Sequence, residues 1–236
     1  MNSRIFKYAI AMSAITLTGI SIHLAHADDF EDGVNLYENQ EMSEAADAFQ
    51  AAADKDNADA QFNLGLMYLN GEGIEENYQQ AMHWFEQSAA QNNVRAQVNL
   101  ARMYAKGKGV APDYNTAVSW FKKAADQGYA DAQYSLGVLY VTGNGTSLDF
   151  NKAKDLFQQA ADQNNASAQY QLGLMYFKGK GMTVDKVEAY KWMTLAGEYD
   201  DAVTFREYAR QSMSEEQIEE ATATAREWEP VATTKS

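Results

Sequence analysis

Few side chains in this sequence have the types and spacing that catalysis or metal binding requires. The 236 residues include no cysteine and only three histidines, and two of these, His23 and His26, lie near the N-terminus. The remaining His83 cannot build a His-rich zinc site, and disulfides are excluded. Neither a G-x-S-x-G elbow nor an H-E-x-x-H pair occurs. We therefore expect no catalytic residue, no metal ligand and no cofactor, and a protein that is not an enzyme.

Two further patterns invite a chemical interpretation without supporting it. Pairs of glycines, G-x-G, could cradle a phosphate, but they lack the preceding strand and the Lys-Ser/Thr ending of a phosphate loop, and they recur along the chain. The sequence also lacks the D-x-D-x-D type of loop that binds calcium. We interpret the glycine pairs as loop geometry and the acidic groups as solvated surface, namely Asp54, Asp56, Asp59, Glu75 and Glu76.

The first 27 residues have the layout of a secretory signal peptide. Arg4 and Lys7 form a basic start, an apolar stretch runs through residues 8–22, and Ala25-His26-Ala27 fits the A-x-A cleavage pattern. The apolar stretch is shorter than the ~20 residues that a spanning helix needs. We expect cleavage after Ala27, export to the periplasm or out of the cell, and no membrane insertion of the mature chain.

The charge of the chain argues against two classes of partner. With 33 acidic and 19 basic residues, the formal net charge is −14 at pH 7, and loss of Arg4 and Lys7 with a signal peptide would make it more negative. Such a surface repels phosphate backbones and anionic lipid headgroups, so we expect neither nucleic acid nor membrane binding.

The chain repeats itself four times with a spacing of 36 residues. The string "AQFNLGLMYLNGEG" begins at Ala60, and closely similar strings begin at Ala96, Ala132 and Ala168. A leucine, a tyrosine and a second alanine recur at the same spacing, as does the glycine pair that ends each string. So many columns with one period indicate internal duplication, and a period of ~20–50 residues is typical of a solenoid.

Each unit is predicted to form two helices joined by the G-x-G loop. In the first helix, Ala60, Leu64 and Tyr68 form one apolar stripe at helical spacing, and glycine ends the helix because it adopts left-handed conformations freely. The second helix is expected to begin near Tyr78, Tyr114 and Phe150. Small residues should let the helices approach closely at Gly65, Gly137 and Gly173, with Ala101 in the matching position of the second unit.

The string A-x-A-Q-x-x-L-G-x-x-Y-x-x-G-x-G, followed by an alanine and W-F-x-x-A-A, resembles the Sel-1-like repeat (SLR). The resemblance covers about residues 58–197 and departs from the pattern at Ala101, Leu156 and Met193, each an apolar exchange. It implies an all-α fold related to the tetratricopeptide (TPR) repeat: a right-handed α/α solenoid of four helix pairs. Many family members carry a cysteine pair in each repeat, and its absence here weakens any transfer of their activities.

The ends of the chain are atypical, as a solenoid requires. In "MSEEQIEEATATAREWEP", Ser214 and Gln217 fit a capping box, and Ile218, Ala221, Ala225 and Trp228 form one apolar stripe. The predicted division is a signal peptide (1–27), a degenerate TPR-like unit without the G-x-G loop (28–57), four SLR units (58–93, 94–129, 130–165 and 166–200), C-terminal capping helices (201–230) and a disordered tail (231–236).

The resemblance also implies a binding surface, because in the TPR architecture the first helix of each pair lines a concave groove. Without the core columns of the repeat, these helices keep amides, two arginines and several apolar groups, which suit peptide binding. The apolar members could instead pack against the adjacent unit. The candidate partner-binding residues are Phe62, Asn63, Leu66, Arg95, Asn99, Arg102, Tyr134, Val138, Tyr170, Gln171 and Phe177.

The function implied by the resemblance is that of a non-catalytic scaffold or adaptor, a monomer that binds another protein or a peptide in the groove. One alternative is a module that binds a cell-envelope glycan or a peptidoglycan fragment on the aromatic groove residues. The least favoured alternative, a hydrolase, is suggested only by the cysteine-rich relatives. A hydrolase needs a pocket with a nucleophile and a base, whereas a binding protein needs only a continuous groove.

Overall fold

The computed structural model describes residues 20–197 and 199–230, and all regular elements in these ranges are helices. The predicted signal peptide up to residue 19 and the predicted disordered tail, residues 231–236, lie outside them. The helices are α1 (Ile20–Glu38), α2 (Met42–Ala53), α3 (Ala58–Asn70), α4 (Tyr78–Ala90), α5 (Val94–Lys106), α6 (Tyr114–Asp126), α7 (Ala130–Thr142), α8 (Phe150–Asp162), α9 (Ala166–Lys178), α10 (Lys186–Leu195), α11 (Asp200–Arg210) and α12 (Glu215–Glu227).

The helices form a linear array in which each pair packs against its neighbours. Besides the contacts within a pair, α2 packs on α3, α4 on α5, α6 on α7 and α8 on α9. Each pair therefore completes its apolar core with the next pair, which confirms the predicted all-α solenoid. In the part of the chain that the structure describes, no helix is both long enough and apolar enough to cross a bilayer.

Local capping residues fix where the repeated helices begin and end. The side chain at the position before each second helix accepts hydrogen bonds from backbone N–H groups of the first turn, at Asn77, Asp113, Asp149 and Asp185. At the end of each first helix, a glycine adopts the left-handed conformation with φ between 65° and 72°, at Gly71, Gly107, Gly143 and Gly179. The second helices begin at the predicted aromatic positions or at Lys186.

The second glycine of each loop has a role beyond ending a helix. A Cβ atom added to Gly145 would lie 2.5 Å from the carbonyl oxygen of Tyr114, and one added to Gly181 would lie 2.8 Å from Cβ of Phe150. Tyr114 and Phe150 begin the second helix of the preceding unit. The second glycine thus lets the loop pass directly against its neighbour, a contact between units that the sequence pattern alone did not predict.

The small residues of the first helices allow close contact within each pair, as predicted. A Cβ atom added to Gly65 or Gly137 would lie 2.7 Å from the ring of Phe85 or Phe157, respectively. Both rings are fully buried. The glycine column therefore leaves room for a large buried ring on the paired helix.

The N-terminal pair repeats this contact in a different register. Gly33 faces the ring of Phe49, since an added Cβ would lie 2.7 Å from it. The connection between α1 and α2 is only residues 39–41, whereas α3 and α4 are joined by residues 71–77. Because the shorter connection removes four residues, α1 corresponds to α3 with an offset of 32, not 36, residues.

The C-terminal end closes the array with two helices. The capping box of α12 is confirmed, since Ser214 accepts from the backbone of Gln217 and the Gln217 side chain accepts from the backbone of Ser214. This helix packs on α10, where the rings of Trp192 and Trp228 have centroids 6.2 Å apart. The other helix, α11, packs on α10 and also touches α9.

Candidate functional site

A cavity of about 440 Å³ lies in the N-terminal half of the array. Most of its lining comes from α1, α3, α5 and the start of α7, so it follows the first helices of successive pairs. The candidate residues predicted from the sequence that line it are Phe62, Asn63, Leu66, Arg95, Asn99 and Arg102. The array thus brings six candidates together, and their role in partner binding stays a prediction.

The floor of the cavity is apolar and belongs to the core. Phe62 is only 5 % exposed and packs against Phe85 with ring centroids 5.9 Å apart. Met67 and Val98, which also line the cavity, are buried as well. Phe62 therefore packs mainly in the core, in line with the alternative that the apolar candidates pack inside the array. It can offer a ligand only part of its ring.

Asn63 places a polar atom in this apolar surface. Its side chain is 5 % exposed, and its Oδ1 atom has no hydrogen-bond partner. An unsatisfied buried acceptor costs about 1–3 kcal/mol. Because the atom itself is buried, a donor group of a ligand can reach it only if the amide turns toward the cavity. The neighbouring amide differs, because Nδ2 of Asn99 already donates to the carbonyl oxygen of Arg95 at 2.9 Å.

Both arginines of the cavity are paired with carboxylates from adjacent units. Nη2 of Arg95 lies 2.7 Å from Oδ1 of Asp59, and its guanidinium stacks 4.5 Å above the centre of the Phe62 ring. Nη2 of Arg102 lies 3.7 Å from Oδ2 of Asp131. These exposed pairs contribute little to folding stability, but they balance the charge of the site. The sequence pattern pointed to the two arginines but not to these pairings.

A hydrogen bond at the rim joins α1 to the first G-x-G loop. The hydroxyl of Tyr37 donates to Oε2 of Glu72 at 2.5 Å, and Nδ2 of Asn70 donates to Oε1 of the same carboxylate at 3.2 Å. Burial raises the pKa of Tyr37 to about 12, and the bond to Glu72 acts in the same direction. Tyr37 is therefore a protonated donor at neutral pH, and both oxygens of the Glu72 carboxylate accept a hydrogen bond.

Tyr129 lines the cavity and was not predicted from the sequence. It precedes α7 and lines the cavity next to Arg102 and Asp131. Burial raises the pKa of its hydroxyl, Asp131 also raises it, and the two arginines of the cavity lower it. Its signal lay in the repeat itself, because the corresponding positions in the other units hold asparagine, at Asn57, Asn93 and Asn165.

Tyr37 was missed for a different reason. With the offset of 32 residues, Tyr37 corresponds to Leu69 of α3, and Phe30 corresponds to Phe62. The ring of Phe30 packs against Phe49 at 5.9 Å, as Phe62 does against Phe85. An alignment through Gly33 would have revealed this register, which the 36-residue period hides. The other lining residues outside the eleven candidates are Phe49, Met67, Asn70, Glu72, Val98 and Asp131.

The remaining five candidates do not line this cavity. On α7, Tyr134 packs against Phe157, and Val138 lies in the same apolar cluster. On α9, Tyr170 packs against Tyr199 at 5.2 Å, and Gln171 lies beside the hydroxyl of Tyr134.

Helix α11 covers the last of these candidates, Phe177. The Phe177 ring contacts Phe205 at 4.9 Å and Tyr208 at 5.8 Å, and both of these residues lie on α11. The C-terminal end of the predicted groove is therefore occupied by this helix.

The arrangement is suited to binding. Among the described residues, no three His, Cys, Asp or Glu side chains come close enough to hold a metal ion. His83 is exposed on α4, where its ring meets that of Trp84 edge-on at 5.0 Å. The cavity combines an apolar floor, an unpaired acceptor and balanced charges, which can hold a ligand by burial and hydrogen bonding.

Comparison with known proteins identifies the repeats. The model of the Sel1 repeat matches residues 58–93, 94–129, 130–165 and 166–198. A similar solved structure is a protective antigen of uropathogenic Escherichia coli with an SLR fold: it is 27 % identical, with a TM-score of 0.77 over 89 % of this chain and 50 % of that chain. The present chain thus spans about half the length of that antigen.

Two further solved structures resemble the chain. A Sel1 repeat protein from Oxalobacter formigenes is 27 % identical, with a TM-score of 0.73 over 85 % of this chain and 82 % of that one. A Klebsiella pneumoniae protein at 22 % identity and a TM-score of 0.51, over 78 % and 93 % of the two chains, shares the fold. No curated protein matches the sequence. Because the family model covers more than half of the chain, in four consecutive units, the protein belongs to the Sel1 repeat family.

Proposed function

We propose that this protein is an exported, non-catalytic scaffold that binds a peptide segment of another protein in the cavity lined by α1, α3, α5 and α7. Sel1 repeat proteins typically mediate protein–protein interactions and are generally non-catalytic scaffolds. For this chain, the observation that carries the proposal is that α1, α3, α5 and the start of α7 bring apolar side chains, the amide of Asn63 and two paired arginines into one cavity.

The chemistry of the cavity favours a peptide. Its volume of about 440 Å³ lies within the usual range for ligand sites and admits a few side chains. A peptide brings backbone groups that can hydrogen-bond to the Asn63 amide once it turns toward the cavity. An adjacent side chain can cover Leu66 and the exposed part of Phe62. Binding would then bury apolar surface and satisfy the unpaired acceptor at the same time.

Export is the second part of the proposal, and it rests on the signal-peptide pattern. Cleavage after Ala27 would retain Phe30, Gly33 and Val34, which pack α1 against α2. The processed chain would therefore keep the first helix pair that borders the cavity. We expect N-terminal sequencing of the protein recovered from the periplasmic fraction to begin at Asp28. Recovery from the cytoplasmic fraction alone, with Met1 intact, would contradict export.

Selection from a displayed library of random linear peptides tests the binding function. We expect enrichment of a common sequence, whose synthetic peptide binds the purified chain in a fluorescence anisotropy titration. Replacing Asn63 with leucine should weaken this binding about tenfold or more, because the hydrogen bond is lost. The same change should preserve or raise the melting temperature, because it removes an unsatisfied buried acceptor and keeps a similar volume.

The matched control is Asn115→Leu, which makes the same exchange at an exposed position of α6 outside the cavity. This variant should bind the selected peptide like the wild type. If no sequence is enriched, or if Asn63→Leu leaves the affinity unchanged, the cavity is not the peptide site. Binding of purified peptidoglycan fragments in place of peptides would replace the proposed ligand with a glycan.

A further inference from the structure

The cavity lies where the chain departs from its own repeat. Three units have an asparagine immediately before their first helix, whose side chain accepts hydrogen bonds from backbone N–H groups of the first turn: Asn57, Asn93 and Asn165. Tyr129 occupies this position in the remaining unit and makes no such bond. Asparagine is among the best residues at this position, and its replacement weakens the start of a helix. The start of α7 therefore lacks the stabilising side-chain cap that the first helices of the other units have.

The two arginines of the cavity are departures of the same kind. The position of Arg95 holds Asp59, Asp131 and Ser167 in the other units, and the position of Arg102 holds Leu66, Val138 and Leu174. The other units fold without these residues, so the helix-pair architecture does not require them. Yet all three departures, Arg95, Arg102 and Tyr129, line one cavity.

The charges around the cavity indicate what kind of side chain it accepts. Arg95 is paired with Asp59, Arg102 is paired with Asp131, and Glu72 accepts two hydrogen bonds. A charged ligand group would have to compete with a partner already in place. The apolar surface left for new contacts comes mainly from Leu66 and Tyr129, because Phe62 and Val98 are almost fully buried.

We infer that Tyr129 is a specificity-determining residue, whose ring contacts an uncharged aromatic or long aliphatic side chain of the bound peptide. This inference rests on the proposed function and adds the class of side chain that the cavity selects. The half-buried ring of Tyr129 packs on one side against the core cluster that contains Val98 and Leu136. Tyr129 also lines the cavity, where a large apolar group would increase the burial of its ring.

The test replaces Tyr129 with asparagine, the residue that the other units use at this position. We expect unchanged helical circular dichroism and about tenfold weaker binding of the selected peptide. A second library selection on this variant should lose the preference for aromatic and long aliphatic residues. Tyr129→Phe keeps the ring and should retain both the affinity and the preference, so it serves as the conservative control.

Two outcomes would overturn the inference, and they differ in what they leave standing. If Tyr129→Asn binds like the wild type while Asn63→Leu does not, peptide binding holds and the role of Tyr129 is wrong. If neither variant changes binding, or if no peptide is enriched, the proposed function fails together with the inference. Should the asparagine variant lose helical structure, Tyr129→Ser takes its place, since serine also caps a helix and offers a ligand no large apolar surface. An unchanged sequence preference in that variant would overturn the inference.

Discussion

Replacing Gly137 with leucine is expected to lower the free energy of unfolding by about 1–3 kcal/mol, the usual result of overpacking a core. Gly137 lies on α7, and a Cβ atom there would already stand 2.7 Å from the fully buried ring of Phe157. Leucine adds three more carbon atoms, and the close packing around this ring leaves no space for them. Thermal unfolding followed by circular dichroism measures the effect, with a fall of about 2–4 °C for each kcal/mol.

The control for this prediction uses the chain's own variation. The second unit carries Ala101 at the equivalent position, where it is fully buried in a hydrophobic core cluster. Gly137→Ala should therefore cost less than Gly137→Leu. In the fourth unit, the residue that faces the equivalent Gly173 is a methionine, Met193. Phe157→Met should therefore partly rescue the leucine variant. An unchanged melting temperature in Gly137→Leu would mean that α7 and α8 do not approach this closely.

Replacing Arg102 with glutamate should weaken binding of the selected peptide about thirtyfold or more, which corresponds to about 2 kcal/mol. The change removes the partner of Asp131 and places a second carboxylate beside it, in a cavity that Glu72 also lines. These unpaired negative charges hold water in the cavity, and displacing it for an apolar side chain becomes costly. Fluorescence anisotropy with the synthetic peptide gives the affinity.

Folding should not be affected by this change, because the Arg102 side chain is 44 % exposed and its ion pair contributes at most about 1 kcal/mol. Arg102→Gln removes the charge without reversing it, so its loss of affinity should be smaller. Lys122→Glu reverses a charge on α6, away from the cavity, and should have no effect. Wild-type affinity in Arg102→Glu, with helical structure intact, would show that the peptide does not bind beside this residue.

The difference between the predicted groove and the cavity follows from where the chain stops repeating. Candidates were chosen by column, and in the first and second units the columns hold for Asn63, Arg95 and Arg102, which line one cavity. At the C-terminal end, a residue of the same columns, Phe177, packs against the aromatic residues of α11. The sequence of α11 is not a copy of the repeat, so the columns could not predict this contact. At the N-terminal end the shorter connection shifts the register of α1, which brings Tyr37 to the rim of the cavity.

The sequence by itself determined the helix pairs, their boundaries and their stacking in line. These features depend on local signals, a glycine such as Gly71 that closes a helix and a residue such as Asp113 that caps one, and the duplication states them four times. Only the tertiary structure decided which groups meet across units: Arg95 with Asp59, Tyr37 with Glu72, and Asn63 with none. Such contacts join residues about one repeat apart, and they depend on the angle and spacing of packed helices, which no local pattern encodes.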